Sequence, residues 1–144
     1  LKSKVFVDTA GWANLFIATE SYHHQTQEWF TRSRSQEQEL VTSNYILMEL
    51  VALLYSPLRV PRPQLFKYVD AIRTASYVET IHIDAAIDAE AWSLLKARED
   101  KNWSLVDGTS FILMQRLGIQ EALTTDRHFE QAGFICFPKF QEIF

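Results

Sequence analysis

A chain of 144 residues that is 47% hydrophobic and 22% charged, with four glycines and four prolines, has the make-up of one folded domain spanning residues 1–144. That composition excludes a disordered or low-complexity polypeptide, and a net charge of −4 argues against a protein that coats nucleic acid through a general basic surface. A single cysteine, Cys136, excludes an internal disulfide framework and a cysteine-built zinc site, and its usage fits a cytoplasmic protein. No apolar run approaches the roughly 20 residues of a membrane span, and Lys2 and Lys4 lead straight into a strand-like run with no signal-peptide pattern.

Short β-rich runs alternate with helix-like segments along the whole chain. Lys4 to Val7 reads as a buried strand, Gly11 to Thr19 as the start of an apolar helix, and Tyr22 to Ser35 as an amphipathic helix with Trp29 and Phe30 inward. Glu39 to Thr42 is a second strand, followed by a helix over Asn44 to Tyr55 that is apolar on every face and so is expected to be buried. Pro57, Pro61 and Pro63 break the chain before a helix over Gln64 to Ala75. Tyr77 to Ile83 alternates as a third strand, and Asp84 caps a long helix reaching about Lys101. Ser104 opens a helix that ends near Gly118, with Gly108 inside it at a cost of about 1 kcal/mol relative to Ala. Glu121 to Thr125 is a fourth strand, Arg127 to Gln131 a short helix, and Phe134 to Phe137 a fifth strand. This alternation predicts an α/β domain with a mainly parallel sheet, whose ligands gather beyond the carboxyl ends of the strands.

Four carboxylates fall where that rim is expected. Asp8 follows Val5-Phe6-Val7, Asp126 follows Ala122-Leu123-Thr124-Thr125, Asp107 lies in the stretch Leu105 to Met114, and Glu49 in the stretch Tyr45 to Tyr55. Each has a plain alternative. Asp8 and Asp126 suit helix N-caps, and Ser104-Leu105-Val106-Asp107 is a capping box. Glu49, on a helix expected to be buried, needs a cationic partner, either a structural arginine or lysine or a metal. A capping carboxylate keeps lone pairs for other partners. Four acids converging in apolar surroundings stay ionised only beside a cation, and an all-oxygen site suits Mg²⁺ or Mn²⁺.

The runs Phe6-Val7-Asp8-Thr9, Thr42-Ser43 ahead of Glu49, Ser104-Leu105-Val106-Asp107, and Thr124 to Phe134 together resemble the PIN domain, and within it the VapC-type toxin ribonucleases. The resemblance implies a three-layer α/β/α sandwich around a five-stranded parallel sheet. It also implies Mg²⁺- or Mn²⁺-dependent endoribonuclease activity that leaves 5′-phosphate and 3′-hydroxyl ends, and inhibition by a small antitoxin protein. Carried over residue by residue, Asp8 and Asp107 are the main metal ligands, and Glu49 and Asp126 ligate directly or through water. Thr9 and Ser43 match places where the family sets a hydroxyl near the acids. Arg127 and His128 on the rim are candidates to contact RNA phosphate; a solvated helix start is the plainer view of both.

Thirteen per cent aromatic residues is high, and most of them belong to the core. The segment Trp12 to Phe30 together with the helix Gln64 to Ala75 could form a groove for an antitoxin helix, or a homodimer face. A phosphoaspartate phosphatase would carry a second Asp at position 10, which is Ala. A receiver-type signalling module would carry paired acids around strand one and a late lysine, and neither is present. A catalytically silent PIN-like interaction module is the remaining alternative, and retention of all four acids counts against it.

Overall fold

The computed structural model describes residues 3–139. In chain order the elements are β1 (Lys4–Val7), α1 (Thr9–Phe16), α2 (His23–Ser35), β2 (Glu39–Ser43), α3 (Asn44–Tyr55), α4 (Arg62–Thr74), β3 (Val78–Ile81), α5 (Ala85–Ala97), α6 (Leu105–Leu117), β4 (Glu121–Leu123), α7 (Arg127–Gln131) and β5 (Ile135–Phe137). All pairings in the sheet are parallel, in the order β3-β2-β1-β4-β5. The central strand β1 reads as a continuous apolar run because helices cover both faces of the sheet, whereas the edge strand β3 alternates. Val5, Phe6, Val7, Leu40, Val41, Ala122 and Leu123 are accordingly buried. No helix among the described residues is long and apolar enough to cross a membrane.

The order of the strands makes the site. The chain leaves β1 toward β2 and β3, then returns to lay β4 and β5 on the other side of β1. Right-handed crossovers put the two sets of connecting helices on opposite faces, which gives a three-layer α/β/α sandwich. The reversal falls between β1 and β4, where Phe6 pairs with Ala122 and Val7 with Leu123. At such a switch point the connections diverge and open a crevice beyond the strand ends. Asp8 leaves β1 there and Asp126 follows β4.

Local chemistry explains most boundaries. Asp8, Ser43, Asp84, Ser104 and Asp126 are N-caps of α1, α3, α5, α6 and α7, each accepting a backbone N–H with its side chain. Gly118 ends α6 in the left-handed region, where glycine carries no Cβ penalty. Helix α1 starts earlier and stops sooner than the sequence pattern predicts, because Asp8 caps it at Gly11 and Ile17 is extended. Helix α5 ends at Ala97, short of the expected Lys101. The expectation that α3 is buried on all sides does not hold. Ile46, Leu47, Leu50 and Leu54 are buried, whereas Met48 is 63%, Val51 39% and Tyr55 62% exposed. Only one side of α3 faces the core, and among the described residues Met48, Val51 and Tyr55 on the other side stay exposed.

Two glycines sit where helices pack closely. Gly108 of α6 lies against Ala91 of α5, with an added Cβ 3.3 Å from the Ala91 Cβ and carbonyl oxygen, so its helix-propensity cost is offset by close packing. At Gly11 the restriction is absolute: a Cβ would stand 2.2 Å from the Leu123 carbonyl oxygen of β4. That contact draws the first turn of α1 onto the strand that leads to Asp126. Gly11→Ala therefore destabilises the fold by about 1–3 kcal/mol through overpacking against rigid backbone, outweighing alanine's better helix propensity. Urea unfolding checks this, and an unchanged midpoint contradicts it.

Candidate metal centre

The rim carboxylates are positioned by bonds that also build the local fold. The two oxygens of Asp8 are both engaged: Oδ1 accepts the Gly11 N–H at 2.8 Å, and Oδ2 accepts the Thr124 hydroxyl at 2.6 Å. Asp107 completes the capping box, with its Oδ2 accepting the Ser104 N–H and its own N–H donating to Ser104 Oγ, each at 3.0 Å. Asp126 caps α7 through the His128 N–H at 2.9 Å, and its own N–H donates to Thr124 Oγ1 at 2.9 Å. Glu49, on α3, accepts the Thr9 hydroxyl.

These residues share one cavity of about 250 Å³, lined by Asp8, Thr9, Ala10, Ile46, Glu49, Leu53, Asp107 and Asp126. All four acids singled out in the sequence thus meet, and Thr9 meets them. Larger grooves exist elsewhere on the surface, but they hold none of these acids. Glu49 is half-buried, not enclosed as the apolar pattern around it predicts. Ser43 is buried and caps α3 through the Ile46 N–H; it does not line the cavity, which corrects its expected place beside the acids. Arg127 is exposed at the start of α7. His128 turns its ring inward, with Nδ1 2.9 Å from Asp107 Oδ2 and 3.3 Å from Asp126 Oδ1.

Burial dominates the electrostatics, and like charge adds to it. Burial pushes the Asp8 carboxyl up from its usual 3.8 to about 7, against the lowering hydrogen bonds from Thr124 and Gly11, and the Asp126 and Asp107 charges raise it further. Burial also raises Glu49; the Thr9 hydroxyl opposes this, and the Asp107 and Asp126 charges add to it. For both groups the neighbouring charges that matter are carboxylates. Such a pocket is under electrostatic strain as it stands and suits a hard divalent cation, which would neutralise the repulsion with oxygen ligands. Among the described residues, ligating atoms of Asp107, Asp126 and His128 all lie within 4.8 Å of one another.

Two supporting residues carry little signal in the sequence. Thr124 is buried, and its hydroxyl bridges Asp8 to the Asp126 backbone. Asn14, buried in the apolar helix α1, donates to the Ala10 carbonyl at 2.8 Å and to Thr125 Oγ1 at 3.2 Å, tying α1 to the β4–α7 rim. A polar residue inside Trp12-Ala13-Asn14-Leu15-Phe16 was the available clue to Asn14.

The crevice at the switch point, with acids from four separate segments, defines an α/β domain with an acidic cavity that suits a divalent cation. A PIN domain family model matches residues 5–135, and the chain belongs to the PIN domain family. It is 33% identical over 131 residues to the 23S rRNA-specific endonuclease VapC20 of Mycobacterium tuberculosis, covering 91% of this chain and 95% of that protein. The crystal structure of VapC20, described as a sarcin–ricin loop cleaving toxin, superimposes with a TM-score of 0.81 at 31% identity, over 91% of this chain and 96% of that one. FitAcB from Neisseria gonorrhoeae (TM-score 0.63, 15% identity, 92% and 96% covered) and PAE2754 from Pyrobaculum aerophilum (0.59, 15%, 94% and 89%) share the fold.

The elevated Asp8 carboxyl has a consequence for stability. Its folded value lies above its unfolded one, so the native state holds the extra proton between about pH 4 and pH 7. The metal-free chain therefore loses stability as pH rises through that window, and Asp8→Asn removes most of the slope. Thermal melts from about pH 4 to pH 8 with chelator test this. Parallel slopes for the two proteins contradict the assignment.

Proposed function

We propose that this protein is a divalent-metal-dependent endoribonuclease of the VapC toxin type, cleaving RNA and held in check by a small antitoxin protein. The observation that carries the reading is the convergence of Asp8, Glu49, Asp107 and Asp126 on one cavity at the strand switch point of a PIN domain. Because VapC20 is named as specific for 23S rRNA, ribosomal RNA is the first substrate class to test.

In this reading all four acids would hold Mg²⁺ or Mn²⁺ directly or through water; Asp107 and Asp126 bring ligating atoms within 4.8 Å of one another, and Asp8, expected from the resemblance as a main ligand, borders the same cavity with Glu49. A cation bound there would supply Lewis acidity to a water and to the phosphoryl group, and hydrolysis of the phosphodiester would leave 5′-phosphate and 3′-hydroxyl ends. The chain's own contribution is preorganisation. Thr124 and the Gly11 N–H fix Asp8 through both oxygens, and the capping box fixes the Oδ2 of Asp107. Thr9 holds one oxygen of Glu49, leaving the other to accept the proton of the attacking water as the new P–O bond forms, while the departing 3′-oxygen takes a proton from solvent. Arg127, exposed beside Asp126, contacts RNA phosphate outside the cavity in this reading.

Two apolar surfaces suit protein partners. A groove of about 450 Å³ between α1, α2 and α4 is walled by Trp12, Phe16, Phe30, Ile72 and Tyr77 and takes the antitoxin helix. The outer face of α3, with Met48, Val51 and Tyr55 exposed at helical spacing, forms a homodimer contact. On this reading Val51→Glu converts a dimer to a monomer in light scattering, while wild-type chain that is already monomeric at micromolar concentration rules out that contact.

The catalytic reading is tested on purified protein and ribosomal RNA. Asp8→Asn and Asp107→Asn each abolish Mg²⁺- or Mn²⁺-dependent cleavage while remaining folded, and chelator abolishes it in the wild type. Undiminished cleavage by either pure variant rejects its role, and absence of cleavage by the wild type, with harmless expression in cells, favours a silent interaction module.

A further inference from the structure

We propose that Nδ1 of His128 is a ligand to the cation held by Asp107 and Asp126, so that the centre has a mixed nitrogen–oxygen donor set and prefers Mn²⁺ to Mg²⁺. This rests on the metal-dependent reading above and adds to it a residue and a metal preference that four acids alone do not imply.

The geometry is specific to this ring. His128 is the second residue of α7, and its backbone N–H is bound to Asp126 Oδ1 at 2.9 Å, which fixes the residue at the lip of the cavity. From there its Nδ1 lies 2.9 Å from Asp107 Oδ2 and 3.3 Å from Asp126 Oδ1. Adjacent donors on a six-coordinate ion with bonds of about 2.1 Å stand about 3 Å apart, so both spacings, which are those of a hydrogen-bonded pair without an ion, also match donors sharing one ion. Among the described residues these three side chains are the set whose ligating atoms come within 4.8 Å of one another. Asp8 and Glu49 border the same cavity without joining that set.

The alternative is a clamp, in which Nδ1–H donates to the two acids and touches no ion. Both carboxylate oxygens it approaches already accept a backbone N–H, from Ser104 and from His128 itself. A further donor is therefore not needed to hold either acid in place. A neutral imidazole with its hydrogen on Nε2 presents the Nδ1 lone pair to the same point between the acids. The His128 side chain is 30% exposed, so its Nε2–H can be satisfied by water. A nitrogen donor disfavours Mg²⁺, which prefers oxygen and retains its water, more than Mn²⁺, a first-row transition ion at the start of the Irving–Williams order.

Metal binding to the full chain, without RNA, tests this. Mn²⁺ and Mg²⁺ titrations by calorimetry compare wild type with His128→Ala and His128→Asn, each verified as folded by circular dichroism. Both variants are expected to bind Mn²⁺ at least about tenfold more weakly, with the Mg²⁺ constant changed far less. Pulsed electron paramagnetic resonance of the Mn²⁺-loaded wild type is expected to show coupling to a directly bound nitrogen. That coupling changes isotope signature with ¹⁵N-histidine and is lost in both variants. Mn²⁺ bound without histidine nitrogen coupling, or Mn²⁺ affinity restored by His128→Asn, overturns the ligand role while leaving the acidic centre intact. Failure of the wild type to bind Mn²⁺ at all removes the metal-dependent reading together with it.

Discussion

The buried hydroxyl of Thr124 donates to Asp8 Oδ2 at 2.6 Å and accepts the Asp126 N–H at 2.9 Å, and the acidic cavity depends on that pair of bonds. It joins the ends of β1 and β4, the two strands between which the sheet reverses its direction of growth. A hydroxyl can serve both partners because it carries one hydrogen to give and lone pairs to receive. Gly11 works on the same junction from the helix side, since its missing Cβ lets α1 sit on the Leu123 carbonyl and bring its N–H to Asp8. Asp8 and Asp126 are thus fixed in place at the junction of β1, β4 and α1, as a site needs if its geometry is to be set before a ligand arrives.

That rigidity works against the charges it gathers. Asp8, Asp107, Asp126 and Glu49 repel one another in a partly desolvated space, and the raised carboxyls of Asp8 and Glu49 record the conflict. A chain selected for stability alone would not keep such a pocket, whereas one that binds a cation recovers the stability on binding. The hydrogen bonds explain why the pocket persists meanwhile. Each acid has at least one oxygen engaged by a backbone N–H or a hydroxyl, so none relies on the ion for its position.

Much of this was legible in the residues. Continuous apolar runs such as Val5-Phe6-Val7 announced strands covered on both faces, and the alternation with helices announced a parallel sheet. The capping reading of Asp8, Asp107 and Asp126 does not exclude a place at the site, and the structure has each of them capping a helix while lining the cavity. N-caps fall where strands hand over to helices, and at the carboxyl ends of a parallel sheet that is also where a site forms. Features set by tertiary approach were less legible. The apolar pattern of α3 resembles a core helix, and nothing local shows that Met48, Val51 and Tyr55 lie on an uncovered side. Ser43 sits at the right place in the chain to reach the acids but caps α3. His128 follows Asp126 by two residues and reads as a solvated helix start, because only the fold brings Asp107 against its ring.

The central claim is that these acids form a cation site, and anomalous diffraction from crystals grown with Mn²⁺ addresses it most directly. The account predicts a manganese peak inside the cavity, within bonding distance of Asp107 and Asp126 and accompanied by Asp8 or Glu49 directly or through one water. Crystals in saturating Mn²⁺ with no anomalous density there, and with the acids paired instead to lysine or arginine, would contradict it.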